Sequence, residues 1–238
     1  MVNACACGRI DPIGTPSPAL APDKPVAVTE DDDGQVFGDI GDSSATTPTY
    51  IQIEGICFVN AEAYGGKVIP APYGLQRRMT PADKRLEDIL SVMNYRHTAS
   101  QLLYVSHDDK THVERSGIKD FFRDKEWACV NQQKVGYKEF MSNICQHKFM
   151  ICPRGNAIDC HRNWEVLYLR RVPVMRKHAY LQELYKDYPV LWVDEFSDIT
   201  KELLEENNYL YEEAENMDLS LLTLPTFFDN IVSKALNQ

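Results

Sequence analysis

The sequence predicts an α/β protein whose larger part is a Rossmann-like parallel sheet, and three observations carry that expectation. Residues 98–218 alternate short apolar runs with helix-patterned segments of about ten residues, the mark of βαβ units around a parallel sheet. The chain has 238 residues, 44% hydrophobic and 10% aromatic, enough to bury a core of domain size. Composition changes near residue 48, from Pro, Gly, Ser, Thr and Asp to patterned apolar segments, which separates an arm from the folded part.

Residues 1–48 include PIGTPSPALAPDKP and EDDDG and offer too little apolar surface to offset the entropy of ordering, so they read as a flexible or loosely packed arm. Within it, residues 36–40, VFGDI, have the pattern of a short strand. A shortened N-terminal α/β lobe is expected over residues 49–97. There YIQIEGICFV reads as a buried strand and KVIPAPYGL as an extended segment interrupted by Pro70 and Pro72. TPADKRLEDILSVM reads as a helix with Thr80 as N-cap, Pro81 at its first position, and Leu86, Ile89 and Leu90 at helical spacing. Over residues 98–218 the order is strand SQLLYVS, helix VERSGIKDFFRD, strand EWACVN, helix YKEFMSNICQ, strand KFMIC, helix CHRNWEVLYLRR, strand VPVMR, helix YLQELYKD and strand VLWV. SDITKELLEENNYLYEEAEN then reads as a helix capped by Ser197 or Asp198, with its acidic face in solvent. In residues 219–238 a last helix, PTFFDNIVSKALN, sets Phe227, Phe228, Ile231, Val232 and Leu236 on one side, a stripe that needs a surface to cover.

Charge excludes one class of partner. With 25 Lys+Arg against 35 Asp+Glu the formal net charge is −10, so the chain carries no overall electrostatic footprint for nucleic acid or an anionic membrane. A polyanion has to be met by a local basic site. No run of about 18 apolar residues appears, so no membrane span is expected, and the first 30 residues lack the basic and apolar regions of a secretory signal. The seven cysteines, Cys5, Cys7, Cys57, Cys129, Cys145, Cys152 and Cys160, are odd in number and scattered. They fit reduced thiols in a cytoplasmic protein better than a disulfide framework. Cys5 and Cys7 form a lone CxC, short of the four ligands a zinc site needs, so no zinc is expected there. No cofactor is expected for the chain.

In an open parallel sheet, ligands bind outside the carboxyl ends of the strands, and the informative loop there is PRGNAIDC between KFMIC and its helix. It gathers Arg154, the permissive Gly155, Asn156, Asp159, His161 and Arg162. A helix N-terminus presents unpaired N–H groups and a positive dipole, and arginine adds bidentate, charge-assisted contacts, so a diphosphate suits this loop. Glu165, four residues after His161 and on the same helix face, is placed to accept hydrogen bonds from ribose hydroxyls. Each residue taken alone has an everyday alternative: Arg154 and Asp159 as a surface pair, His161 as a helix cap, Glu165 as a solvated carboxylate. Their convergence on one loop favours a nucleotide. No GxGxxG and no GxxxxGK[ST] occurs, which weakens the common dehydrogenase and P-loop classes.

KFMICPRGNAIDCHRNWEVLYLRRVPVM resembles the donor-binding signature of exostosin-like glycosyltransferases, a phenylalanine and apolar run, PRG, a spacer, HR or RR, an aromatic, E, and a proline-bearing strand. KVIPAPYGL is similar to the segment preceding the donor lobe in microbial and large-DNA-virus members, and YVSHDDKTHVER to a family element that carries over onto Thr111 and Arg115. The likeness covers roughly residues 50–200. It implies a GT-B architecture with the nucleotide sugar, a UDP-sugar for preference, on the C-terminal lobe. It also implies a glycan or glycoprotein acceptor on the N-terminal lobe, metal-independent transfer, and a last helix crossing back. By the same resemblance Arg115 faces the donor diphosphate across from Arg154. The short N-terminal lobe departs from the family, and Arg170 and Arg171 stand where a Gly-Cys pair is common.

Transfer needs a base for the acceptor hydroxyl and stabilisation of the departing diphosphate. Glu54 and Glu62 follow the first strand, and His107, Asp108 and Asp109 lie in the loop after SQLLYVS; Glu54 and Asp108 are the first candidates for the base. A non-catalytic nucleotide or carbohydrate-binding domain derived from a transferase is the alternative, a scaffold using the acidic helix a third, and a homo-oligomer is compatible with each. The donor sugar stays open: the resemblance permits xylose, glucuronic acid, galactose, N-acetylglucosamine and others.

Overall fold

The structure, a computed structural model, describes residues 56–58, 68–76, 84–94 and 98–236. The chain splits into two units at Tyr50 and Ile51, and every described residue belongs to the second. The arm with its 36–40 strand, Glu54, Glu62 and the Thr80–Pro81 cap therefore lie outside the described residues.

In chain order come β1 (Ile56–Phe58), β2 (Val68–Pro70), α1 (Arg85–Met93), β3 (Gln101–Val105), α2 (Ile118–Phe122), β4 (Ala128–Val130), α3 (Tyr137–Gln146), β5 (His147–Ile151), α4 (His161–Tyr168), β6 (Val172–Arg176), α5 (Ala179–Leu184), β7 (Leu191–Val193), α6 (Lys201–Glu206), α7 (Asn208–Asn216) and α8 (Leu224–Leu236). β1 and β2 form a small parallel pair. The other strands form one five-stranded sheet, parallel throughout, in the order β4-β3-β5-β6-β7. The expected α/β class and Rossmann-like sheet are present.

Both faces of this sheet are covered, and the period-2 pattern of its strands explains why. Leu103, Val105, Phe149, Ile151, Val172, Val174, Leu191 and Val193 belong to one core with Ile118 and Phe122 of α2 and Leu204, Leu210 and Tyr211 of α6 and α7. Tyr104, Met150 and Met175 belong to the other, with residues of α1, α3, α4 and α5. Short apolar runs, buried on both sides, are what a doubly wound sheet requires.

Three local expectations are corrected. In α1 the buried residues are Ile89 and Val92, whereas Leu86 and Leu90 are about half exposed; i,i+3 and i,i+4 stripes are both helical, and packing chose the former. The acidic segment is two helices, broken at Asn207, and Thr200, not Ser197 or Asp198, caps the first by accepting from Leu203 N at 3.1 Å. Ser197 and Asp198 lie in a preceding 3-10 turn. Of the C-terminal stripe, Phe228 is exposed, and α8 packs on the turn Leu219–Leu222, which Tyr168 holds to α4 by donating to Leu222 O at 2.8 Å.

Helix α4 ends in a Schellman turn: Arg170 N donates to Leu167 O and Arg171 N to Val166 O. Arg170 occupies the left-handed position of that turn with φ 56°, where glycine is the unstrained choice. Its guanidinium holds the end of α7, donating to Glu215 O at 2.9 Å and Met217 O at 2.5 Å. The buried Arg171 donates to Cys145 O, Arg170 O and the Glu215 carboxylate, capping the C-terminus of α3 with positive charge.

Candidate functional site

Strand order places the site. The chain leaves β3 for one edge of the sheet and returns past it to β5, so the connections after β3 and β5 run to opposite faces and open a crevice at the strands' carboxyl ends. Residues 106–115 line one side of that switch point and residues 152–162 the other.

Arg115, in the 3-10 turn Val113–Arg115, ties the two loops together. It is buried, and its Nε donates to Arg154 O at 2.7 Å, Nη1 to Asp108 O at 3.2 Å and Nη2 to Pro153 O at 3.3 Å. A Cβ on Gly155 would meet Arg115 Nη2 at 3.3 Å and Thr111 Cγ2 at 3.7 Å, so glycine lets the loop close onto this arginine. Thr111, Arg115, Arg154 and Gly155 thus come together as expected. Arg115, however, orders the backbone of the PRG loop rather than standing free across from Arg154.

Asp159 departs from its expected role. It is wholly buried and accepts from four donors: Asn163 Nδ2 (3.1 Å), Tyr185 Oη (2.5 Å), Trp164 Nε1 (2.8 Å) and Tyr73 N (2.8 Å). Burial pushes its pKa up, and these hydrogen bonds pull against the rise. With its oxygens engaged inside the fold, Asp159 is a scaffold residue. It fastens the start of α4 to α5 and to the segment of residues 71–76.

That segment, APYGLQ, forms a wall of the site. Tyr180 Oη donates to Ala71 O at 3.0 Å, and His161 Nδ1 lies 2.7 Å from Gly74 O, with Gly74 at φ 67°. A carbonyl only accepts, so Nδ1 carries a proton and Nε2 faces away from that bond. The Tyr73 ring lies 4.4 Å from the His161 ring, centroid to centroid, and Tyr73 is 44% exposed.

Arg162 differs from Arg115. Its guanidinium carbon sits 5.7 Å from the Phe140 ring centroid, and its Nε and Nη1 are buried without a hydrogen-bond partner among the described residues. Burial lowers the pKa values of Arg115 and His107, and the nearby charge of Arg162 lowers them further. Glu165, one turn further, is buried and accepts from Tyr137 Oη at 2.8 Å. Burial raises its pKa, while Tyr137, Arg162, His161 and Arg85 lower it. The crevice therefore gathers Arg115, Arg154 and Arg162 beside the buried carboxyl groups of Asp159 and Glu165, with N–H groups of Arg162 to spare among the described residues, at the start of an eight-residue helix.

No protein-family model and no curated protein matches this chain. The site is therefore characterised by its own geometry.

The remaining expected residues lie on the same two loops with their side chains in solvent. Asn156 is exposed on the loop, and Asp108 is exposed, with its Oδ1 accepting from Lys110 N at 3.0 Å. Among the described residues no group of three or more His, Cys, Asp or Glu is placed to hold a metal ion, and no helix is long and apolar enough to cross a membrane. Sequence reasoning overlooked Tyr73, Tyr137 and Tyr185, whose partners lie 86, 28 and 26 residues away; nothing local to a tyrosine announces such a bond. It also ranked Asp108 above His107, which is 6% exposed and stands at the mouth of β3.

Proposed function

We propose that this chain is a metal-independent glycosyltransferase of the exostosin-like, GT-B kind, moving a sugar from a nucleotide-sugar donor, a UDP-sugar, to a hydroxyl of a glycan acceptor. One observation carries the proposal: buried N–H groups of Arg162, without hydrogen-bond partners among the described residues, stand beside Arg115 and the N-terminus of α4 at the switch point of a doubly wound sheet. Unsatisfied buried donors have a large desolvation cost, which a bound oxyanion removes. The resemblance of the PRG segment and of KVIPAPYGL to the family gives that anion its chemistry.

In this scheme the acceptor oxygen bonds to the anomeric carbon as the bond to the diphosphate breaks. Arg162, Arg154 and the α4 N–H groups meet the charge that develops on the leaving diphosphate. Glu165, oriented by Tyr137, accepts from the ribose hydroxyls, and the exposed Tyr73 offers a ring beside the helix start. The acceptor proton passes to a carboxylate on the acceptor side, with Asp108 and Glu54 as the candidates.

Calorimetric titration with UDP, followed by a hydrolysis screen over UDP-sugars, tests the proposal. Glu165→Ala and Arg162→Gln are each expected to weaken UDP binding about 10- to 100-fold, the loss of one charge-assisted interaction. Unchanged UDP affinity in both variants sinks the assignment. Tight UDP binding with no hydrolysis of any UDP-sugar transfers support to a non-catalytic binding domain.

A further inference from the structure

His107 is the other buried polar group at this crevice whose chemistry is unaccounted for. It follows β3 by two residues, its side chain is wholly buried, and its Nδ1 lies 2.8 Å from Asp109 Oδ1. Both ring nitrogens are buried with no partner in hydrogen-bond geometry among the described residues, so the Asp109 carboxylate acts on Nδ1 as a nearby charge and Nε2 has no polar neighbour of that kind. A carboxylate beside Nδ1 favours the tautomer with the proton there, which leaves Nε2 a bare lone pair. Arg162, from α4, shares the neighbourhood and also has buried N–H groups without partners.

These two unsatisfied groups come from opposite sides of the switch point, and their demands conflict. An oxyanion satisfies Arg162, but the Nε2 lone pair repels it unless the ring takes up a proton. We propose that His107 is a phosphate-binding group that becomes protonated when the anion enters, so that Asp109 and His107 couple donor binding to uptake of one proton from solvent. The proposal rests on the nucleotide-sugar assignment and adds a residue and a linkage to it.

The surrounding charges set the direction. In the free protein burial and then Arg162 hold the His107 pKa down to about 4; Asp109 opposes them, and Lys119 and Arg115 add to the depression. Lys119, on α2, shares the carboxylate of Asp109 at 3.6 Å. The ring is thus neutral near pH 7 when the crevice is empty. A bound dianion offsets Arg162 and supplies an acceptor for Nε2–H, both of which favour the imidazolium.

His147 is a built-in control. It is equally buried, its pKa is also lowered to about 4, and its Nε2 has no partner, but it lies beside the fully engaged Arg171, away from the crevice. The test is a pH titration of the imidazole nitrogens by NMR, without ligand, with sulfate, and with UDP-glucose. Neither probe has an ionisation of its own near neutral pH. His107→Gln assigns the His107 signal. In the wild type the His107 midpoint should rise by about one to three pH units with either probe, while that of His147 stays fixed. Asp109→Asn, at an exposed residue, frees the Nδ1 tautomer and should cut the shift to less than half. Binding of a probe with the wild-type His107 midpoint unmoved overturns the proton linkage and leaves the nucleotide assignment standing. Binding of neither probe overturns both.

Discussion

An arginine and a neutral buried histidine from another element stand near each end of helix α4, and the two ends are built for opposite purposes. At the C-terminal end Arg171 donates to Cys145 O, Arg170 O and the Glu215 carboxylate, and His147 sits beside it. At the N-terminal end Arg162 has Nε and Nη1 buried without a hydrogen-bond partner among the described residues, and His107 lies within reach of its charge. A fold gains nothing by leaving a buried guanidinium unsatisfied. The saturated arginine is explained by stability, and the unsaturated one calls for something outside the chain.

The sharpest way to break this contrast is a pair of isosteric truncations. Arg171→Met takes the donor from the Cys145 carbonyl near the end of α3 and from the Glu215 carboxylate, leaving acceptors unpaired, which should cost about 3 kcal/mol of folding stability. Arg162→Met removes a guanidinium whose Nε and Nη1 have no hydrogen-bond partner among the described residues, gives up its attraction to Glu165, and keeps an apolar chain beside Phe140, so stability should stay within about 1 kcal/mol of wild type. Urea denaturation of both variants decides the matter. Equal losses would show that the two arginines serve the fold alike, and would remove the reason to look for an anion at Arg162.

How far the sequence shows this difference depends on the range of the interactions involved. The parallel sheet was legible because runs such as LLYV and FMI are apolar at every position, a pattern that burial on both faces imposes. The PRG loop was legible because Arg154, Gly155, His161, Arg162 and Glu165 are close in the chain and the helix start brings them together. The division between Arg162 and Arg171 was not legible. Both are arginines on or just after one helix, and only the tertiary positions of Cys145 and Glu215, 26 and 44 residues from Arg171, separate them. Asp159 reads locally as an exposed loop acid for the same reason, since its partners Tyr73 and Tyr185 arrive from distant segments. Nor does a loop sequence reveal which of the neighbours His107 and Asp108 turns inward.

A second way to sharpen the comparison uses pH. His147 donates from Nδ1 to Asn143 O at 2.6 Å, and its folded pKa is lowered from 6.5 to about 4. Between those two values the unfolded chain binds more protons than the native one, so stability is complete above about pH 6.5 and is lost as pH falls toward 4. Asp159 and Glu165, raised by burial, act in the opposite sense, so the informative quantity is a difference between proteins. His147→Gln should recover about 2 kcal/mol of the stability that wild type loses between pH 7 and 5. Parallel wild-type and variant profiles over that range would mean that His147 is charged in the native state.

The smallest effect concerns the turn that joins the two halves of the contrast. Arg170 stands at a left-handed φ of 56°, a conformation that costs a non-glycine residue about 1 kcal/mol or slightly more. Its hydrogen bonds to Glu215 O and Met217 O return a similar amount, because partly exposed bonds contribute about 0.5 to 1 kcal/mol each. Arg170→Gly removes both the strain and the bonds, so its stability should lie within about 0.5 kcal/mol of wild type. Arg170→Ala keeps the strain and loses the bonds, and should fall about 1 kcal/mol below the glycine variant. The difference between these two variants isolates the backbone contribution, because neither has a side chain that reaches α7. If alanine and glycine prove equal, the turn carries no strain, and Arg170 is retained at that position for its grip on α7 alone.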